Sequence, residues 1–295
     1  GGKLQGEDEQ RVTATLAGIY FQERNYPRAI VTAQRYMKAG GADPQMRTML
    51  VQSYYLSNDC ASVVNLLKPG IDAQTKAGHA PDESQLQLLG TCAQRTKNDA
   101  AYRGALEALV AYHPRESYWD DLLSAIRNKP GYSSRLDIDT FRLRRATGAL
   151  TSVDDYMEMT QLALVAGSTA EAKQVIDQGF ASGVLGHDPQ AEREKRLQAL
   201  AAKRLQAGPD KANPLSPVDD GLNRVFSGQA KDGLSMMEAA IAKGGLQHLD
   251  QAQLHLGVAY YVAGQKARAV QAFRAVKGTD GSSDLARLWL LVASK

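Results

Sequence analysis

Small residues recur at a regular interval along this chain, at positions where a helix core usually holds a bulky side chain. The segment LHLGVAYYVAGQKARAVQAF near the C-terminal end places Gly257 and Ala269 at such positions. The segment LAGIYFQERNYPRAI near the start places Ala17 and Ala29 there. A small residue on each of two antiparallel helices lets their backbones cross closely. The pattern therefore predicts helical hairpins, each built around one close crossing.

The hairpins recur with a constant period. A shift of 34 residues moves Tyr20 onto Tyr54, and fainter copies in the middle of the chain place Gly167 and Gly228 at the turn. A fixed period of this length is typical of stacked helical repeats. The pattern resembles the tetratricopeptide repeat family, whose unit is a 34-residue helical hairpin. The resemblance implies an all-α, right-handed solenoid of tandem hairpins with a capping C-terminal helix.

The turn inside each hairpin needs a residue that ends the first helix. Gly264 is at this position in the last copy, and Asn25 and Asn58 are predicted to take its place in the first two. Glycine and asparagine adopt the left-handed backbone conformation more readily than other residues. We therefore expect these three residues to have a positive φ angle.

The repeats and their interruptions divide the chain into five predicted parts. The interval from Ala172 to Gly233 is too long for one repeat and too short for two. It contains a charged segment that predicts one long helix. The five parts are a tag remnant or disordered start (1–9), N-terminal repeats (10–116), degenerate hairpins (117–187), a long charged helix and linker (188–217), and C-terminal repeats with a capping helix (218–295).

Charge and hydropathy exclude two classes of partner. The net charge is only +3, with acidic and basic residues interleaved, which disfavours nucleic acid and anionic membranes. No apolar run approaches the roughly 20 residues that cross a bilayer.

The start Gly1-Gly2-Lys3 lacks an initiator Met, which is typical of a trimmed chain that has lost a signal peptide or anchor. The compartment stays open, with the bacterial periplasm or envelope favoured over the cytoplasm.

Cys60 and Cys92 are the only two cysteines. Two cysteines alone make no metal site, and their spacing is not that of a redox motif. The favoured interpretation is that both are buried as small hydrophobic residues. The alternative is a disulfide between neighbouring repeats, which would imply an oxidising compartment.

Several motifs suggest chemistry that their context does not support. Asp137-Ile138-Asp139-Thr140 matches a phosphatase nucleophile signature, but no apolar strand precedes it, so we predict a helix-capping pair of aspartates. Four arginines follow or flank this motif and are predicted to form a solvated helix face paired with nearby aspartates, in preference to a phosphate-binding site. These arginines are Arg135, Arg142, Arg144 and Arg145. We predict no catalytic residue, no cofactor and no metal site.

The resemblance also implies a binding surface. In the tetratricopeptide repeat family, the first helix of each hairpin lines a concave groove that holds a peptide of a partner protein. Carried onto this chain, the implied groove residues are Phe21, Gln22, Gln52, Tyr55, Gln94, Arg95 and Tyr261. The Lys/Asn carboxylate clamp of chaperone-binding members is missing, since Ala14 and Gly18 occupy those positions in the first copy.

The function implied is a non-catalytic scaffold or adaptor that binds a peptide segment of a partner, in a setting such as bacterial envelope assembly or secretion. One alternative is a small-ligand binder or enzyme with a pocket near the central joint. That pocket would require Asp137, Asp139, His187 and the arginines to converge. Another alternative is self-association, in which the groove is filled by another copy's tail, or by the chain's own C-terminal helix with Trp289 as anchor.

Overall fold

A computed structural model describes residues 6–187, 189–208, 212 and 214–294. Within these ranges the chain forms sixteen α-helices and one short 3₁₀ turn, with no strand. The predicted all-α class is thus confirmed, and the helices pack in consecutive pairs, whereas the right-handed twist stays a prediction. No helix in these ranges combines the length and the apolar character needed to cross a membrane.

The chain divides into two compact units, the first ending at Arg115 and the second beginning at Glu116. The finer division into five parts stays a prediction, because the contacts define only these two units. Residues 1–5 of the predicted disordered start (1–9) lie outside the described residues. Residues 6–9 already belong to a helix, whose first turn carries Glu7, Asp8 and Glu9. Acidic side chains stabilise the positive end of a helix dipole.

The first unit contains three helical hairpins in tandem. The two helices of each hairpin pack on each other, and each hairpin packs on the next. The helices are α1 (Gly6–Gln22), α2 (Tyr26–Lys38), α3 (Pro44–Leu56), α4 (Cys60–Lys76), α5 (Glu83–Arg95) and α6 (Asp99–Tyr112).

Within the described residues, the second unit contains four hairpins and two additional helices, α11 and α16. The hairpins pair α7 with α8, α9 with α10, α12 with α13 and α14 with α15, while α11 packs on α9 and α10. The last helix, α16, packs on α14, α15 and α8, so the end of the unit contacts its beginning. The helices are α7 (Glu116–Arg127), α8 (Asp137–Thr147), α9 (Val153–Val165), α10 (Thr169–Ala181), α11 (Ala191–Ala207), α12 (Pro217–Phe226), α13 (Ala230–Lys243), α14 (Leu249–Val262), α15 (Lys266–Ala275) and α16 (Ser282–Ala293).

The predicted turn residues are correct with one exception. Gly264 and Asn58 have φ angles of 75° and 60°. In the first hairpin Arg24 takes the left-handed position, with φ 58°, and Asn25 has φ −84°. Asn25 instead caps α2, because its side chain accepts a hydrogen bond from the backbone N–H of Arg28. The 34-residue shift itself places Arg24 opposite Asn58, so the choice of Asn25 was one residue too late.

The small residues lie at helix crossings, as predicted. Ala17, Ala29 and Ala269 are fully buried. A Cβ atom added to Gly257 would overlap the ring of Phe273, on the partner helix of the same hairpin. These positions are small because the neighbouring helix occupies the space that a larger side chain would need.

Cys60 and Cys92 form a disulfide, so the favoured prediction of two free buried cysteines is wrong. Cys60 is the first residue of α4 and Cys92 lies on α5, with their Cα atoms 4.7 Å apart. Because α4 and α5 belong to consecutive hairpins, the bond covalently joins the second hairpin to the third.

The helix crossing in the last hairpin can be tested by overpacking it. Ala269→Leu should lower the free energy of unfolding of the second unit by roughly 1–3 kcal/mol, because the added side chain has no space. Ala267→Leu is the control, since Ala267 is exposed on the same helix. Denaturant unfolding measures both, and equal effects of the two variants would contradict the assigned crossing.

The disulfide can be tested by removing it. Replacing both Cys60 and Cys92 with Ala should lower the stability of the first unit by about 2–4 kcal/mol, because the bond closes a loop and restricts the unfolded chain. Thermal unfolding with and without a reductant measures the effect. The reductant should lower the thermal stability of the natural protein and leave that of the double variant unchanged. If the reductant also destabilises the double variant, loss of the disulfide does not explain its effect.

Candidate functional site

The helix α8 lies inside the second unit although its sequence, DIDTFRLRRAT, is polar. Every residue from 138 to 144 is buried. The predicted solvated face is therefore wrong for Arg142 and Arg144, which are only 4% and 8% exposed, although both pair with aspartates as predicted. The prediction is correct for Arg135, which is exposed and pairs with Asp280. A helix buried around most of its circumference is usually apolar, so the charges of α8 must be compensated inside the unit.

Arg142 makes the central ion pairs of this interior. Its Nε and Nη2 atoms donate to the Glu171 carboxylate on α10 at 2.9 and 2.7 Å, and Nη1 donates to Asp139 Oδ1 at 2.8 Å. Both carboxylates are completely buried. Burial alone would lower the pKa of Arg142, but Glu171 and Asp139 more than offset this, so its pKa lies above the usual value. The guanidinium joins α8 to α10.

His255 extends the same ion-pair network to two further helices. Its Nε2 atom lies 3.1 Å from Asp139 Oδ1, and its Nδ1 atom lies 3.4 Å from Asp219 Oδ1 on α12. Burial opposes the imidazolium, but the two aspartates favour it more strongly and raise the pKa of His255 to about 9. The charged ring therefore links α14, which carries it, to α8 and α12. In the described part of the chain, no cluster of three or more His, Cys, Asp or Glu residues could hold a metal ion.

The network differs from the convergence expected of an enzyme site. Asp139 and Arg142 do meet, but Asp137 pairs instead with Arg127 at 3.1 Å, and His187 is exposed. Arg144 also faces away and pairs with Asp155 of α9 at 2.7 Å. Sequence reasoning missed Glu171 and Asp219, because both lie far along the chain and in no recognisable motif.

A pocket of about 260 Å³ lies beside this network and is lined by α8, α9, α10, α12, α14 and α16. Its apolar wall includes Met159, Phe226, Val258, Tyr261 and Trp289. The Tyr261 ring centroid lies 5.1 Å from that of Trp289. Aromatic rings in such contacts form a rigid surface. The structure therefore places Tyr261, a predicted groove residue, in a mainly apolar pocket.

The polar side of the pocket is formed by Arg142, Arg145, Glu171 and Gln174. Arg142 and Glu171 neutralise each other. Arg145 is partly buried and donates through Nε to Gln178 Oε1 at 2.9 Å. Among the described residues, its guanidinium forms no direct ion pair, although the Glu171 carboxylate is near enough to act on its charge. Burial lowers the pKa of Arg145, with only partial compensation from Glu171.

The other predicted groove residues lie in the first unit. The Arg95 guanidinium lies 5.4 Å from the centre of the Tyr55 ring, so these two residues form a cation–π pair between α3 and α5. Phe21 packs edge-on against Tyr26 of its own hairpin, with ring centroids 5.9 Å apart.

The three predicted glutamines, Gln22, Gln52 and Gln94, are exposed. Gln52 also lines a cleft of about 390 Å³ formed by α3, α4 and α5. The structure thus brings Tyr55 and Arg95 together and places Gln52 at a neighbouring cleft.

Comparison with known proteins adds no assignment. No protein-family model matches this sequence. The curated proteins contain no match to it either. The likeness to tetratricopeptide repeats therefore depends on the residue pattern described above.

The charged state of His255 can be tested through the pH dependence of stability. Because the pKa of His255 is raised, its charged ring stabilises the folded state fully below about pH 6.5. This stabilisation, at most about 3 kcal/mol, is lost as the pH rises through about 9. His255→Gln should abolish this fall in the free energy of unfolding, whereas His248→Gln, at an exposed position, should preserve it. Denaturant titrations at several pH values would measure how the free energy of unfolding changes with pH. If this free energy falls as much in His255→Gln as in the natural protein, the assignment is wrong.

Proposed function

We propose that this chain is a non-catalytic scaffold or adaptor of tetratricopeptide-like build that binds a peptide segment of a partner protein. The observation that carries the proposal is the pocket of the second unit. Tyr261, a predicted groove residue, lines it together with Val258 and Val262 of the same helix. Rigid aromatic side chains in a pocket are typical anchors of protein–peptide contacts.

The size of the pocket favours a peptide side chain over a free small molecule. Its volume of about 260 Å³ lies below the range of roughly 300–1,000 Å³ typical of ligand and cofactor sites. One large apolar side chain fills such a space, while the rest of its peptide lies outside.

The state of the neighbouring charges supports a non-catalytic role. Arg142 and Glu171 each have their charge neutralised inside the unit, and both Asp139 and Asp219 contact His255. A general acid or base must be able to exchange a proton with the substrate, whereas Asp139 is completely buried and the pocket-lining Glu171 is paired with Arg142. This network is suited to joining helices.

Trp289 of the chain's own C-terminal helix packs against Tyr261 and so covers part of the predicted groove of the last repeat. The side chain is 2% exposed and stacks on Phe273 with ring centroids 5.5 Å apart. It is thus occupied within its own unit, which disfavours its use as an anchor for a second copy.

The proposed setting is the bacterial periplasm or envelope. The disulfide between Cys60 and Cys92 supports it, because such bonds persist in oxidising compartments. Alkylation of the chain in intact source cells, followed by mass spectrometry, tests the setting. Two alkylated, reduced cysteines would contradict it.

Selection of short random peptides displayed on phage tests the binding function. Peptides enriched on the whole protein should bind at least about tenfold more weakly to Val262→Lys, because the added charge disrupts the edge of the pocket. Val262 is 45% exposed, so the change should be tolerated by the fold. Fluorescence anisotropy with the synthetic peptides measures the affinities.

Val165→Lys is the matched control for this experiment. Val165 is also an exposed valine at the last residue of the first helix of a hairpin, but it does not line the pocket. Its variant should bind like the natural protein. Failure to enrich any peptide, or equal binding by Val262→Lys and the natural protein, would overturn the proposed function.

A further inference from the structure

We propose that the pocket of the second unit recognises an acidic–apolar peptide segment, in which a large apolar side chain enters the pocket and a nearby Asp or Glu side chain pairs with Arg145. This inference rests on the proposed function and specifies its ligand. It is carried by the unequal charge balance of the pocket and by its unsatisfied hydrogen-bond donors.

The charge balance follows from the partners of the two lining arginines. Arg142 forms ion pairs with Glu171 and Asp139, through contacts of 2.7–2.9 Å. Arg145 lies three residues further along α8, on an adjacent part of the same face, and its hydrogen-bond partner is the neutral Gln178. The pocket therefore contains a compensated ion pair and one guanidinium whose charge is uncompensated by a direct contact.

A second unsatisfied donor lies in the same pocket. The Nε1–H group of Trp289 is buried and has no acceptor among the described residues. A buried donor without a partner costs free energy that an incoming acceptor can recover. A carboxylate in the pocket would supply an acceptor for this Nε1–H group.

The apolar wall selects the other half of the ligand. Met159, Phe226, Val258 and Tyr261 surround a space sized for one large side chain. An isolated acidic group would leave this surface in water, and an isolated apolar group would leave the partly buried Arg145 with only the neutral Gln178 as its hydrogen-bond partner. A segment that supplies both groups satisfies the whole pocket.

The carboxylate is assigned to a side chain and not to a chain terminus. Sites that capture terminal groups commonly use free backbone N–H groups arranged in a concave nest. All residues that line this pocket belong to helices, where backbone N–H groups beyond the first turn are already bonded. Of the lining residues, only Glu171 belongs to a first turn. Recognition therefore depends on side chains.

A focused display library tests the inference with defined probes. Each peptide has one fixed Leu, Phe or Trp, with neighbouring positions that vary among Asp, Glu, Asn, Gln, Lys, Ser and Gly, and both peptide ends are joined to carrier protein. Selection on the whole natural protein should enrich Asp and Glu over Asn and Gln close to the apolar residue. Arg145→Gln should abolish this preference, and Arg145→Glu should replace it with a preference for Lys.

Arg196→Gln is the control for net charge, since Arg196 is exposed on α11 of the same unit. It should retain the acidic preference. Circular dichroism and thermal unfolding establish that each variant is folded. Arg145→Lys provides a second, conservative variant, which should keep a weaker acidic preference because it retains the charge but loses the planar guanidinium.

Synthetic peptides with an acetylated N-terminus and an amidated C-terminus measure the effect by calorimetry. Changing the selected Glu to Gln should weaken binding to the natural protein by about ten- to a hundredfold. The same change should have little effect with Arg145→Gln. Equal losses with both proteins would overturn the inference.

The outcomes separate this inference from the proposed function. Apolar peptides that need Val262 but show no acidic preference would leave the proposed function intact and overturn the inference. An acidic preference seen only for peptides with a free C-terminal carboxylate would also overturn it. No enrichment of any peptide would overturn both.

Discussion

The second unit depends on the ion pairs that let a polar helix lie in its interior. Arg142 on α8 is bonded to Glu171 on α10 and to Asp139 on its own helix, and Asp139 in turn contacts His255 on α14. Removing charges from water costs several kcal/mol for each ion, and only well-placed opposite charges offset that cost. The helices that carry these partners must therefore stay where they are for α8 to remain buried. Removing one partner of this network would leave a buried charge unpaired, which is strongly destabilising.

The same helix determines the character of the candidate site. Arg142 and Arg145 lie three residues apart on α8 and both line the pocket, but their surroundings differ. Arg142 has two buried carboxylates as partners, so its charge stabilises the packing of α8 inside the unit. Arg145 has Gln178 as its hydrogen-bond partner, so its charge remains for recognition. The pocket thus combines a rigid aromatic wall with one cation, a composition suited to acidic–apolar segments.

Much of the helical framework could be predicted because its signals are local. Gly257 and Ala269 lie within a few turns of each other along the chain, and each is small because the other helix of the same hairpin passes close to it. The turn at Asn58 was predicted from residue preference alone. The error at Asn25 has the same local origin, since asparagine also favours the start of a helix, and it serves there as the cap of α2.

The arginines of α8 were misjudged for the opposite reason. A run of polar residues on a helix usually indicates a solvated face, and nothing near Arg142 in sequence reveals that Glu171 and His255 will enclose it. The disulfide likewise required knowledge that Cys60 and Cys92 meet. Sequence by itself determined the helical hairpins, their close crossings and most of their turns, because these depend on neighbours within one repeat. Only the tertiary structure decided which charges are buried, which cysteines join and where Tyr261 lies, because these depend on distances between side chains that are remote along the chain.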